Sequence, residues 1–324
     1  MVSVPHTELA AAIAELPDSV DNDTKSTSQF KTVLDAVNLD PSGLLTSLST
    51  LSGNSEKGLA LLSLLLSETR DQLPVLDLLR CYGQIRKGMP EPVKAGRVPQ
   101  VTQKLEEVVK AIHNSYECLS DLIEESNRPV LFSPEGSPTV THTALKKSIR
   151  EFRLPLQKGD DKSPVVAIAI PNGSLLAATC VSVTAHFAAA PINPSVGAEQ
   201  FRADVEQVRA KCILTTPEVA ERLGLGDGWV SERNIEVFYA DFTSSQTLGI
   251  TKQDGTPISA ESQHFQPNKG SDICLMLFTS GTSGTKKIVP LTMHLVIFGA
   301  MLVIDSWGLS SSDICLNMMP LFHM

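Results

Sequence analysis

The sequence predicts an α/β protein: a mostly parallel sheet with helices on both faces, preceded by a small helical region. Three observations lead there. From about residue 122 onward, short apolar and β-branched runs alternate with longer segments of helical period, the pattern of a parallel sheet whose strands are covered on both faces. Residues 1 to about 100 are instead leucine-rich and broken by Ser, Gly, Asn and Pro, a spacing that suits short packed helices. Residues 272–291, DICLMLFTSGTSGTKKIVPL, join an apolar run of strand length to a loop of hydroxyls and glycines that ends in two lysines.

The elements follow in order. The leucine runs at 44–51, 59–66 and 73–79 predict helices, and prolines at 90, 92 and 99 mark a linker. Residues 1–100 are therefore expected to form a helical N-terminal extension of unknown role, through which a protein partner could bind, and residues 101–324 the domain that carries the chemistry. A one-faced apolar stripe with a period near 3.6 predicts a helix over 101–124. Residues 129–132 make a short strand, and Thr141 is placed to cap a helix over 144–152. The run VVAIAI at 165–170 predicts a strand buried on both faces, broken by Pro171, Asn172 and Gly173. A mostly apolar helix over 175–187 and a strand over 188–192 complete a βαβ unit. Helix 198–211, strand 212–215, a short helix from Pro217 to Leu223 and strand 235–239 repeat the order. The longest apolar run, 295–304, is about half of what spans a bilayer, so it predicts a buried helix behind the loop rather than a membrane span.

Composition narrows the function classes. A chain of 324 residues, 42% hydrophobic and 19% charged, has room for two or three domains and a sizeable core. A net charge of −9 argues against a nucleic-acid partner. The six cysteines form no C-x-x-C pair and the seven histidines are scattered, so reduced buried thiols and no metal site are expected. No secretory leader is visible, and the C-terminal Phe-His-Met is not a peroxisomal address, which together predict an intracellular, cytoplasmic protein.

The loop carries the chemistry. Gly281 and Gly284 permit close backbone approach to a ligand, and successive N–H groups in such a bend form an anion-binding concavity. The hydroxyls of Thr279, Ser280, Thr282, Ser283 and Thr285 add donors, and Lys287 adds the positive charge that a polyphosphate requires. Lys286 either joins it or is a solvated surface lysine. The segment is not the common P-loop, because Lys286 stands where the second glycine belongs, and no G-x-G-x-x-G fingerprint occurs. A polar surface loop is the competing interpretation of the same composition.

Residues 279–287 resemble the signature loop of the adenylate-forming superfamily, the AMP-dependent synthetases and ligases, whose usual form is Thr-Ser-Gly-Thr-Thr/Ser-Gly-x-Pro-Lys-Gly. Every position through Gly284 is kept and Lys287 falls on the family lysine, while Lys286 replaces the proline and Ile288 the final glycine. Residues 165–173, the run Ala190-Pro191-Ile192-Asn193-Pro194 and the run Met319-Pro320-Leu321-Phe322-His323 are similar to three further blocks of acyl-CoA synthetases, in the right order. The similarity covers about residue 115 to the end.

What the resemblance implies is carboxylate activation: a carboxylate oxygen attacks the α-phosphorus of ATP, pyrophosphate leaves, an acyl-adenylate remains, and a thioester with CoA follows. Mg2+ shares the phosphate charge in that chemistry. Thr279, Ser280, Gly281, Thr282, Ser283 and Gly284 would hold the β/γ-phosphates, with Lys287 as a catalytic point charge. His323 matches the family histidine beside the acyl pocket; a satisfied core histidine is its alternative. The family's later features have no counterpart here, so a truncated N-terminal portion is expected. Two other functions stay open: an adenylation domain that loads a phosphopantetheinyl carrier protein, as in nonribosomal peptide synthetases, and a catalytically inactive nucleotide-binding or interaction fragment.

Overall fold

The computed structural model describes residues 6–18, 20–50, 54–69, 73, 75–90, 103, 107–108, 110–112, 114–132, 139–159, 163–258, 265–279 and 286–322. They divide into two compact units, Met1–Glu117 with Phe298–Asp313, and Cys118–Ile297 with Ile314–Met324.

The first unit is helical, as the leucine spacing requires. Helices α1 (His6–Glu15), α2 (Ser28–Leu39), α3 (Pro41–Ser49), α4 (Ser55–Thr69) and α5 (Val75–Lys87) enclose one core, in which Leu44, Leu48, Leu61, Leu65, Leu78 and Tyr82 are buried. Short polar side chains set the helix starts: Thr27 accepts from Phe30 N ahead of α2, and Asp40 accepts from Gly43 N ahead of Pro41 in α3. Lys57 is buried, and its ammonium donates to the carbonyls of Ala14 and Leu16. This satisfies oxygens that the end of α1 would otherwise leave without a partner. The helix expected over 101–124 is shorter. Described residues between 103 and 112 are helical, but Ser115 then folds back, N and Oγ both donating to Ile112 O at 3.0 and 2.6 Å. Leu119–Leu122 forms a separate 3-10 turn. A hydroxyl that competes for the last carbonyls ends a helix that apolar periodicity alone would continue.

The second unit is built on a seven-stranded sheet. Strands β1 (Pro129–Leu131) and β2 (Val140–Thr141) form a small antiparallel pair. The main sheet takes β3 (Val165–Ala169), β4 (Ala188–Pro191), β5 (Cys212–Thr215), β6 (Glu236–Phe242), β7 (Leu248–Lys252), β8 (Ile273–Thr279) and β9 (Lys287–Thr292), in the order β7-β6-β5-β3-β4-β8-β9. The five central strands are parallel, and β7 and β9 close the two edges antiparallel. Pro290 sits in β9, where an edge strand tolerates the missing N–H.

Alternation along the strands sorts the core. Val166, Ile168, Cys212, Leu214 and Phe238 face one side with α7 (Ser174–His186), which is covered in turn by α6 (His142–Glu151). Ala167, Ala169, Ile213 and Val237 face the other with α8 (Ala198–Gln207), α9 (Pro217–Arg222) and α10 (Trp229–Glu232). Helix α7 is packed on two sides, so it carries no amphipathic stripe. Thr141 caps α6 by accepting from Ala144 N at 3.2 Å. Helix α8 stops at Gln207, short of the expected Lys211, because Arg209 turns to φ 55 and Lys211 N pairs with Val165 O at 2.8 Å to enter β5.

The last helix, α11 (Met293–Trp307), differs from expectation. Only its start is anchored in this unit, through buried Met293 and Ile297, whereas Leu295 is 55% exposed. From Phe298 its residues group with the first unit, and Leu302, Val303, Ile304 and Trp307 are exposed. It is therefore not the buried helix that its apolar run predicts.

His186, at the end of α7, is 2% exposed, with ring Nε2 2.8 Å from Ile149 O and with Phe152 and Phe265 beside it. Burial, helped by the charges of Arg153 and Lys158 and opposed by the Ile149 and Gln266 carbonyls, lowers its pKa to about 4. An unfolded histidine titrates near 6.5, so between pH 6.5 and 4 the unfolded chain gains a proton that the folded chain refuses. Stability from this group should fall across that window by up to about 3 kcal/mol. Urea denaturation at stepped pH checks it: His186→Leu should show a shallower acid loss than wild type, and identical slopes would remove the histidine from the account.

Candidate functional site

Strands β8 and β9 are an antiparallel pair whose register sets Phe278 opposite Ile288 and Thr279 opposite Lys287. Because β8 runs parallel to β4, through Ala189 and Leu275, Thr279 and Lys287 stand at the carboxyl-terminal rim of the parallel strands. Open α/β sheets receive their ligands along that rim. Thr279 Oγ1 donates to Lys287 O at 3.5 Å, and Lys287 itself is exposed. Of the expected site residues, Thr279 and Lys287 are thus described and brought together. Ser280, Gly281, Thr282, Ser283, Gly284 and His323 lie outside the described residues.

Lys286 is not an unpaired surface lysine. Its Nζ lies 2.6 Å from Asp204 Oδ2 and 5.4 Å from the centroid of the Phe278 ring. Its carbonyl accepts from Gln207 Nε2 at 2.8 Å. The other oxygen of Asp204 accepts from Gln200 Nε2 at 2.8 Å, and Asp204 is 1% exposed. Sequence reasoning missed Asp204 and Gln207. The signal was present in part: Asp204 falls between Phe201 and Val205, on the stripe that α8 buries. A carboxylate on a buried face demands a cationic or hydrogen-bonding partner.

Two neighbouring blocks of the sequence converge on the same rim. Asn172, in the turn after β3, accepts from Leu321 N at 3.1 Å through Oδ1, and Leu321 and Phe322 pack against the core beneath. After β4, Asn193 Oδ1 accepts from Ser195 N at 2.9 Å, and Arg222 donates to Pro194 O at 2.7 Å, which holds that turn against α9. At the end of β5, Thr215 donates to Ala169 O at 2.8 Å. The rim is thus a row of turns pinned by their own side chains, with the exposed Lys287 on it.

Among the described residues no three His, Cys, Asp or Glu side chains come together as a metal site. The cysteines are unpaired, and burial pushes the thiols of Cys81 and Cys274 up to about 12 and that of Cys212 up as well, which leaves them inert as nucleophiles. Among the described residues no helix is long and apolar enough to cross a membrane.

Comparison with known proteins identifies a family. The model of the AMP-binding enzyme family matches residues 124–324. A probable CoA ligase of Humulus lupulus, CCL9, is 27% identical over 200 residues, which is 61% of this chain and 37% of that protein. The oxalate–CoA ligase of Arabidopsis thaliana is 27% identical over 195 residues, 59% of this chain and 37% of that one. A crystal structure of apo MatB from Rhodopseudomonas palustris superposes on 57% of this chain and 36% of its own, at 14% identity and a TM-score of 0.44. The chain spans little more than a third of the length of the two curated relatives, at 37% of each.

Proposed function

The chain belongs to the AMP-binding enzyme family, and from that premise we propose that it takes part in the ATP-dependent activation of a carboxylic acid, followed by transfer of the acyl group to CoA. In the first step a carboxylate oxygen bonds to the α-phosphorus of ATP, the bond from that phosphorus to the bridging oxygen breaks, and pyrophosphate leaves. In the second, the thiol sulfur bonds to the acyl carbon and AMP leaves. Two anions must meet and a third must depart, so the protein's part is position and positive charge rather than a strong base.

One observation carries this reading: the family match spans the β8–β9 pair, whose Thr279 and Lys287 stand together on the ligand-accepting rim. Lys287 is exposed and has its backbone fixed by the strand register, as a point charge for phosphate should. In this proposal Ser280, Gly281, Thr282, Ser283 and Gly284 complete the phosphate contacts with Thr279, and His323 acts near the acyl group. The tie from Asn172 to Leu321 holds the residue two positions before His323 at the same rim. Mg2+, when bound, would share with Lys287 the negative charge that gathers on the departing pyrophosphate. CoA is favoured over a carrier protein by the names of both relatives, and the oxalate–CoA ligase makes a small dicarboxylate the first acid to test. The unpaired buried cysteines support an intracellular, cytoplasmic setting. Residues 1–100 are proposed as a helical extension able to bind a partner.

Calorimetric titration with nucleotides tests the phosphate assignment. ATP should bind, inorganic triphosphate should compete with it, and AMP should bind at least tenfold more weakly, about 1.4 kcal/mol. Equal affinity for ATP and AMP would take the triphosphate away from this rim.

A further inference from the structure

Asp204 and Lys286 are 82 positions apart and belong to different elements, yet their side chains meet at 2.6 Å, with Asp204 1% and Lys286 34% exposed. A carboxylate removed from water is costly, and an apolar pair of the same volume would often be as stable, so a pair of this kind is weak evidence for stability. What it does supply is a fixed position. Lys286 is held at two separate points, its ammonium by Asp204 and its carbonyl by Gln207. Both partners project from α8, one turn apart, and α8 is itself fixed to the sheet by buried Phe201 and Val205. The Phe278 ring lies beneath the Lys286 ammonium and, with Ile288, packs against the same core. The grip therefore falls on the residue immediately before Lys287, at the point where the chain enters β9.

We propose that Asp204, Gln207 and Lys286 form a clasp between helix α8 and the Thr279–Lys287 end of the β8–β9 pair, which positions Lys287 and Thr279 for the nucleotide's phosphates. Lys286 is on this account a positioning residue and makes no phosphate contact, because its charge is already spent on a buried carboxylate. The inference rests on the phosphate reading above, and it narrows it: of the two adjacent lysines, only Lys287 serves the ligand. It also explains how the chain orders the exit of the loop without a proline at position 286.

Two measurements on the full chain separate the clasp from the phosphate reading. The first is amide hydrogen exchange without nucleotide. Asp204→Asn, which keeps the shape and the Gln200 partner, and Lys286→Met should each speed exchange at Thr279 and Lys287 by about tenfold, the scale of one charge-assisted hydrogen bond. Lys286→Arg should restore slow exchange, and Lys287→Ala should leave it as in wild type. The second is ATP affinity by calorimetry. Asp204→Asn and Lys286→Met should each weaken it about tenfold, and the double variant no more than either alone, because both remove the same interaction. Wild-type exchange and affinity in Asp204→Asn, with a loss of affinity in Lys286→Met, would overturn the clasp and make Lys286 a phosphate ligand. Fast exchange in both variants, in a protein whose wild type binds no ATP, would overturn the phosphate role and leave the clasp as an anchor only.

Discussion

Replacing Lys287 and Thr282 together by alanine should reduce ATP affinity by about 3 to 4 kcal/mol, the sum of one charge-assisted contact and one hydroxyl contact to phosphate. The loss should fall mainly on the lysine, whose single charge acts on the triphosphate as a whole. It should also shrink the salt dependence of binding, because an exposed cation at the rim is screened by added ions. Folding should be spared: Lys287 is exposed and makes no side-chain hydrogen bond among the described residues. Calorimetry against ATP, with a urea melt as the control on folding, decides the matter. Undiminished affinity in the double variant would mean that the nucleotide binds elsewhere on the chain.

The second large effect is on stability. Phe201→Ala should cost about 3 to 5 kcal/mol, the usual range for deleting a fully buried ring whose surroundings relax only in part. Phe201 is 0% exposed and lies where α8 meets the sheet, among Val205, Ala220 and Ile213. Denaturant midpoints measure it, and Leu295→Ala is the internal comparison: that side chain is 55% exposed, so its loss should stay within about 0.5 kcal/mol. A Phe201 variant as stable as the Leu295 variant would mean that the α8 contact is not part of the core. Since Asp204 and Gln207 are carried by the same helix, the Phe201 variant should also weaken ATP binding, whereas Leu295→Ala should not.

The five central strands and their order along the chain were legible because each is encoded by its own residues. The run VVAIAI at 165–170 needs no distant information to be a buried strand, and β3 occupies Val165–Ala169. Thr141 and Thr216 cap helices that begin immediately after them, so those starts could be found from a few neighbouring side chains. Helix ends were less legible. Ser115 closes one helix early by folding back on Ile112, and the left-handed Arg209 closes another, and apolar periodicity registers neither event. The antiparallel edges β7 and β9 were not visible as strands either, because an edge strand need not carry an unbroken apolar run.

The site divides along the same line. The sequence by itself determined which residue types stand between β8 and β9, the family that they announce, and the lysine that follows them, because hydroxyls, glycines and charge act through their own chemistry wherever the chain puts them. Only the tertiary structure decided that Lys286 turns inward to Asp204 while Lys287 remains outside, that Asn172 holds Leu321, and that apolar side chains of α11 such as Ile304 and Trp307 stay exposed. Each of these depends on which distant segment lies within a few ångströms. A hydrogen bond or ion pair is a property of distance in space, and a linear pattern of 3.6 or 2.0 residues carries no record of a partner many tens of positions away.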